Sequence, residues 1–296
     1  MVEAVLARHL SRIRAVQRAE ITECEIYRRL ARRMKDGGNR EILERIAGDE
    51  RRHHDFWERL TGSGERPSRL RVWLYTALAR TLGLTFALKL MERGEDFAQA
   101  EYEQLREIPG VPEIIEDEEA HERQLIDLLD DERLEYASSV VLGLNDALVE
   151  LTGALAGFTL AFANAHIVAA AGLVTGVAAS LSMAASEYLS SKADTEAGRG
   201  GGKSPVKAAV YTGIAYIGAV TALILPYLLM DRALAALPVT LGVAAAIIAG
   251  FNAYISVARD LRFWPRFAEM TLISFGVAAV SFGLGWAVRA VWGIEL

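Results

Sequence analysis

Beyond residue 136 the chain is organised by five apolar runs, at 137–162, 166–190, 206–229, 234–258 and 268–293. About 20 helical residues cross the hydrocarbon core of a bilayer, so each run is long enough to span it. No water is available there to pair with backbone groups, and a continuous apolar run satisfies them only as a helix. The segments between the runs carry turn and loop residues: FANAH, SKADTEAGRGGGKSP, LMDRALAALP and RDLRFWPRF. A multi-pass membrane domain over 136–296 is therefore expected, joined to something different over 1–135.

The charges define that difference. Residues 1–135 hold 23 Lys and Arg against 29 Asp and Glu, whereas residues 136–296 hold nine of each. The net charge of −6 belongs to the first half, which argues against nucleic acid as a partner. Lys192, Arg199, Lys203 and Lys207 lie in or beside the second connection, and Arg259, Arg262 and Arg266 in the fourth. The first and third carry only Arg232. By the positive-inside rule the N-terminal half and both basic loops are cytoplasmic, and the C-terminus is outside. The N-terminus lacks the apolar core of a signal peptide, which agrees with a cytoplasmic first half. Cys24 is the only cysteine, so no disulfide framework or CxxC site is available.

The first half reads as four helices, at 8–35, 40–60, 70–107 and 113–134, with breaks allowed at Gly83 and Gly94. Four such helices suggest a bundle, so the fold class is all-α: a four-helix bundle plus five spans. Two helices repeat a motif. DERRH places Glu50 and His53 at i, i+3, and EEAH does the same for Glu118 and His121. That spacing brings both side chains to one helix face. The other two helices supply Glu20, and Glu92 with Glu95. One Glu from each of two helices plus Glu-x-x-His from each of the others is the ligand set of a di-iron carboxylate bundle. Carboxylate and imidazole suit iron and also manganese. His54, about 100° around the helix from His53, falls on the surface in this reading; His9 and Cys24 are structural.

Residues 70–90 (LRVWLYTALARTLGLTFALKL) are unusually apolar for a surface helix. One reading is a long crossover between the second and third bundle helices. The other is an element resting on the membrane or on a partner subunit.

These residues, from Glu20 to Tyr27 and through Glu50/His53, Glu92-x-x-Glu95 and Glu118/His121, resemble the rubrerythrin-type domains of the ferritin-like superfamily, over about residues 8–134. Rubrerythrins proper add a cysteine-ligated rubredoxin module, for which this chain has no cysteines.

Within the spans, Asp146 and Glu150 lie one turn apart in the first. Met183 and Glu187 lie one turn apart near the end of the second, which runs the other way. Asp146 and Met183 are then expected at similar depth. A charge at mid-bilayer costs at least ~2.5 kcal/mol, so intramembrane carboxylates are functional-site candidates. Carboxylate plus thioether suits a transition cation over Mg(II), and a carboxylate there can trade a proton for the metal. GLNDALVELTGALAGF and SMAASEYLSSKA are similar to the first two spans of the vacuolar iron transporter family. That resemblance implies five spans, a homodimer with the ion path at its interface, and Fe(II) moved in exchange for protons. It implies that Asp146 and Met183 line the path, with Glu150 and Glu187 in the matching motifs. Plant-type members insert a long Glu-rich region between spans two and three, whereas 191–205 here is short, Gly-rich and basic.

The combination resembles the fused ferritin-like/iron-transporter family of membrane iron exporters. It implies export of Fe(II), with Mn(II) as a second candidate, from the cytoplasm across the cell membrane. The Fe(II)/Fe(III) di-iron bundle would capture, sense or oxidise the metal. Ferroxidase chemistry and simple metal buffering need the same ligands. The competing readings are a membrane-anchored di-iron oxidase, for which intramembrane carboxylates have no use, and iron storage without transport, for which a tethered bundle is poorly suited.

Overall fold

The computed structural model describes residues 2–34, 37–93, 105–127, 136–162, 164–198 and 203–292. They are helical throughout apart from turns and one isolated bridge between Asn164 and Arg232. The chain divides into two compact units, Met1–Asp131 and Glu132–Leu296.

The first unit is built on α1 (Val2–Ala31) and α2 (Gly37–Thr61). α2 buries Leu43, Ile46, Ala47, Glu50, His53, His54 and Trp57. Steps of three and four residues form a stripe about 100° wide, the width of a core-facing helix surface. That width corrects the expectation for His54. It lies four residues from Glu50 and three from Trp57, inside the stripe, and is 3 % exposed.

Two apolar layers stack along the α1–α2 pair. One contains Ile26, Tyr27, Leu30, Leu43, Ile46 and Ala47, and the other Ile13, Val16 and Trp57 with Leu105, Ile108, Val111 and Ile114. Glu20, Glu50 and His53 fall in sequence between the members of these layers. The bundle core is thus apolar at both ends and polar in the middle.

After α2 the chain returns along α1. Gln17 Nε2 donates to Ser63 O at 2.8 Å, Thr61 Oγ1 to Gln17 Oε1 at 3.1 Å, and Ser68 N to Thr22 Oγ1 at 3.0 Å. Ser68 caps α3 (Arg69–Thr81) by accepting from Arg71 N. The expected long third helix is broken at Gly83, whose φ of 103° lies in the left-handed region that side chains resist. A second helical segment, α4, runs from 84 to 93. Residues 94–104, with Glu95 among them, lie outside the described residues. Turns over 105–110 lead into α5 (Val111–Asp127).

The second unit is α6 (Ala137–Phe162), α7 (Ala165–Glu196), α8 (Pro205–Leu229), α9 (Ala233–Ala258) and α10 (Phe263–Trp292). All five are long and apolar enough to cross a membrane, and the protein is a multi-pass membrane protein. α7 runs six residues past the apolar run, to Glu196. α10 begins at Phe263, since Pro265 in a first turn has no helical hydrogen bond to lose. α6 is the hub and packs against each of the other four helices.

Close packing rests on small residues. A Cβ on Gly143 would collide with the Thr212 carbonyl of α8, and one on Gly285 with the Gly157 carbonyl of α6. In lipid, where apolar burial does not hold helices together, such approach maximises dispersion contacts. Gly285→Ala is therefore expected to force α6 and α10 apart, at about 1–3 kcal/mol for overpacking. Gly283→Ala, whose Cβ would meet nothing within 4 Å, is expected to be silent. Thermal melts in detergent check both.

Candidate metal centre

The polar middle layer of the bundle draws side chains from three helices. His53 Nδ1 stands 3.1 Å from Glu118 Oε1, 3.5 Å from Glu20 Oε2 and 3.9 Å from Glu50 Oε2. His121 Nδ1 stands 3.4 Å from Glu50 Oε1 and 3.7 Å from Glu118 Oε2. The two imidazoles lie 5.9 Å apart, centre to centre. Five of the seven expected bundle ligands, Glu20, Glu50, His53, Glu118 and His121, are thus brought together. Ligand atoms of Glu20, Glu50, His53 and Glu118 all lie within 4.8 Å of one another. Glu92 does not join that group; its Oε2 pairs with Lys89 Nζ at 2.8 Å.

The outer nitrogens reveal residues that the motif reading missed. His53 Nε2 lies 3.2 Å from Asp117 Oδ2 on α5, and His121 Nε2 lies 3.1 Å from Asp49 Oδ2 on α2. Each helix's aspartate holds the other helix's histidine. Arg52 sits between the aspartates, 2.5 Å from Asp49 and 3.8 Å from Asp117. The signal was present: the repeat is Asp-Glu-x-x-His, not merely Glu-x-x-His. A carboxylate on one ring nitrogen fixes the tautomer and leaves the other nitrogen's lone pair for a metal. The inner atoms fit that role. Among the described residues His53 Nδ1, His121 Nδ1 and Glu50 Oε2 are buried and make no aligned hydrogen bond. Buried polar atoms are rarely left so, and a bound ion is one partner that would complete these.

Glu23, one turn beyond Glu20 on α1, is a further carboxylate that the motif reading passed over. Burial, then the charges of Glu20 and Glu118, push it up to about 8. Burial, followed by Glu118 and Glu20, likewise raises Glu50. Burial alone would lower His53, but the adjoining carboxylates of Glu118 and Glu20 prevail and lift it to about 11. His121 is raised against burial by Glu118 and Asp49. Burial opposes ionisation of Glu118 too, yet the two imidazoles hold it at about 2. Without metal the cluster is therefore neutralised by protons, which a cation must displace.

In the membrane unit Tyr216, buried on α8, donates its hydroxyl to Glu150 Oε2 at 3.1 Å. Asp146 lies within reach of both. Tyr216 was not singled out from sequence; a tyrosine in mid-span was its signal. Glu150 itself is exposed near the middle of α6. Met183 packs partly on the apolar core. Ser139 meets Glu187, and Leu155 lies against Gly172, which sets the α6–α7 register. That register puts Met183 level with residues 143–144, two to three residues (~3–4.5 Å, less than a turn) from the level of Asp146.

Glu187 sits apart from the carboxylate pair. It accepts from Ser139 Oγ at 2.6 Å and lies 3.3 Å from Lys203 Nζ. It lines a cavity of about 330 Å³ with Ser138, Leu142, Ser190, Ser191, Asp194 and Lys203.

The proton load has a stability consequence. Glu23 and Glu50 keep protons in the folded state that the unfolded chain releases above about pH 4.5. Stability from a raised histidine is complete below its unfolded value of 6.5, and for His53 it is lost as pH rises toward 11. Both terms have the same sign, so the metal-free protein is expected to lose stability as pH rises from about 5 to about 8. Melts with and without Mn(II) check this, and added Mn(II) is expected to close the gap. Asp117→Asn, which leaves His53 poorly oriented, is expected to weaken Mn(II) binding roughly 10–100-fold, read by electron paramagnetic resonance.

Residues 14–114 match the rubrerythrin family, and residues 137–200 match the VIT family. Among curated proteins there is no match. The first match stops short of Glu118 and His121, which the fold itself brings to the cluster. The second covers α6 and α7. The rubrerythrin match points to an iron-binding, ferritin-like domain, and the VIT match to membrane transport of iron or a related metal. This one chain thus joins a segment that matches the rubrerythrin family to a segment that matches the VIT family.

Proposed function

We propose that the protein exports Fe(II), or the similar ion Mn(II), from the cytoplasm in exchange for protons, with the bundle loading iron on the cytoplasmic side. The observation that carries this reading is the presence of two separate metal-suited side-chain sets in one chain. One is the Glu20/Glu50/His53/Glu118/His121 cluster with its orphaned inner atoms. The other is Asp146 and Glu150 with Tyr216, inside helices that cross a membrane. Helices serving only as an anchor need no carboxylates.

In the bundle, Glu20, Glu50, His53, Glu118 and His121 would hold a di-iron pair, with Glu92, Glu95 or both as further ligands, Glu92 only on leaving Lys89. Asp49 and Asp117 orient the imidazoles, and the cluster releases protons as it loads. Bound iron supplies redox and Lewis-acid chemistry. Sensing, buffering and oxidation are all compatible with these ligands.

In the membrane, Asp146 is the ligand and proton-exchanging group, and Met183 offers a soft sulfur less than one turn away in level. Glu187, in its polar cavity at the end of α7 that carries the basic loop, is the entry carboxylate. Glu150 supports a homodimer, since an exposed carboxylate facing hydrocarbon is costly and a second copy's matching face would cover it. The basic second and fourth connections support a cytoplasmic N-terminal half and an external C-terminus in the cell membrane.

Transport into proteoliposomes under a pH gradient tests the proposal. Asp146→Ala is expected to abolish Fe(II) movement, by at least about 100-fold if the group binds the ion in transit, equivalent to roughly 2.7 kcal/mol. Unchanged movement would overturn the path assignment. His53→Ala with His121→Ala is expected to empty the bundle while leaving movement through the spans at saturating Fe(II).

A further inference from the structure

α3 has two apolar faces, and among the described residues only one of them is covered. Val72 and Tyr75 are buried in the bundle core, with Leu78 and Ala79 packed beside them. On the opposite side Leu70, Trp73 and Leu74 are 73 %, 65 % and 41 % exposed. Their i, i+3, i+4 spacing makes a continuous stripe along the helix.

Charge frames that stripe. At 100° per residue, Arg69 lies about 100° to one side of Leu70; Arg71, about 100° to the other, acts electrostatically on Glu23 of the bundle core. Arg80 falls on the same side as Arg69. All three are exposed. Between Glu65 and Glu92 the sequence has no acidic residue at all, within a half that is otherwise net acidic. Among the described residues neither Arg69 nor Arg80 forms an ion pair. A bundle helix facing water would carry mixed charges where α3 presents Leu and Trp. A helix docked on a protein partner would have no need of arginines along its margin.

An apolar stripe with an interfacial tryptophan and a basic margin is the pattern of a helix lying in the plane of a membrane surface. Its apolar side chains reach the acyl boundary, and guanidinium groups pair with headgroup phosphates. The same chain carries five helices long and apolar enough to cross a membrane, so every copy is inserted in a bilayer.

We infer that α3 is a lipid-docking helix, with Leu70, Trp73 and Leu74 entering the headgroup–acyl boundary of an anionic leaflet beside Arg69 and Arg80. The break at Gly83 makes this feasible, because it frees α3 from the buried α4 that follows. This role does not rest on metal transport. Either could fail while the other stands.

Site-directed spin labelling of the full chain in nanodiscs containing phosphatidylglycerol tests it. Labels are placed singly at Leu70→Cys, Trp73→Cys and Leu74→Cys, with Glu44→Cys on exposed α2 as the aqueous reference. Cys24 is buried and stays in place. Relaxation by oxygen, which partitions into lipid, is compared with relaxation by a water-soluble nickel chelate. The expected result is an oxygen-to-nickel ratio several-fold higher at 70, 73 and 74 than at 44, which falls to the reference value in Arg69→Glu/Arg80→Glu. Nickel accessibility equal to that at position 44 would overturn the inference. So would dipolar coupling between position-74 labels of two copies, which would make a second chain the cover.

Discussion

Crowded negative charge governs the bundle. Glu20, Glu23, Glu50 and Glu118 meet in the middle layer, flanked above and below by apolar layers that exclude water. Carboxylates so placed are tolerated only with compensating cations or protons. The protein holds them with two imidazoles inside and protons on Glu23 and Glu50. The stripe on α2, the return of the chain along α1 and the placement of α5 all serve to enclose that layer. A bound metal cation could take the place of those protons, which agrees with the rubrerythrin match over residues 14–114.

The membrane unit meets the same constraint in a harsher solvent. Asp146 and Glu150 share Tyr216, and Glu187 is held by serines and Lys203. Each carboxylate has a donor, yet Glu150 keeps an exposed face. Glycine contacts at 143, 157 and 285 draw α8 and α10 against α6. That leaves a hub helix whose polar residues are organised by tight packing on its other sides.

Much of this was legible in the residues. Hydropathy alone delimits five spans, because lipid imposes length and composition together, and the ends differ only where α7 and α10 run on past the apolar runs. Glu50/His53 and Glu118/His121 are legible because i, i+3 spacing is a local property of a helix. What was not legible depends on which helix faces which. Asp49 and Asp117 act across the bundle, Tyr216 acts across two spans, and His54 is buried by the breadth of a stripe that its spacing from His53 alone does not reveal. The α6–α7 register also needed side-chain contacts, since apolar runs locate spans to within about a turn.

The crossed pairing of Asp49 with His121 and Asp117 with His53 acts as a mechanical cross-brace. Sliding α5 along α2 by a single residue would pull both aspartates away from both rings at once. The two helices are thus locked in register by the same atoms that aim the imidazoles. Any disturbance of their alignment would be felt at both halves of the cluster together, and the centre would lose its shape as one unit.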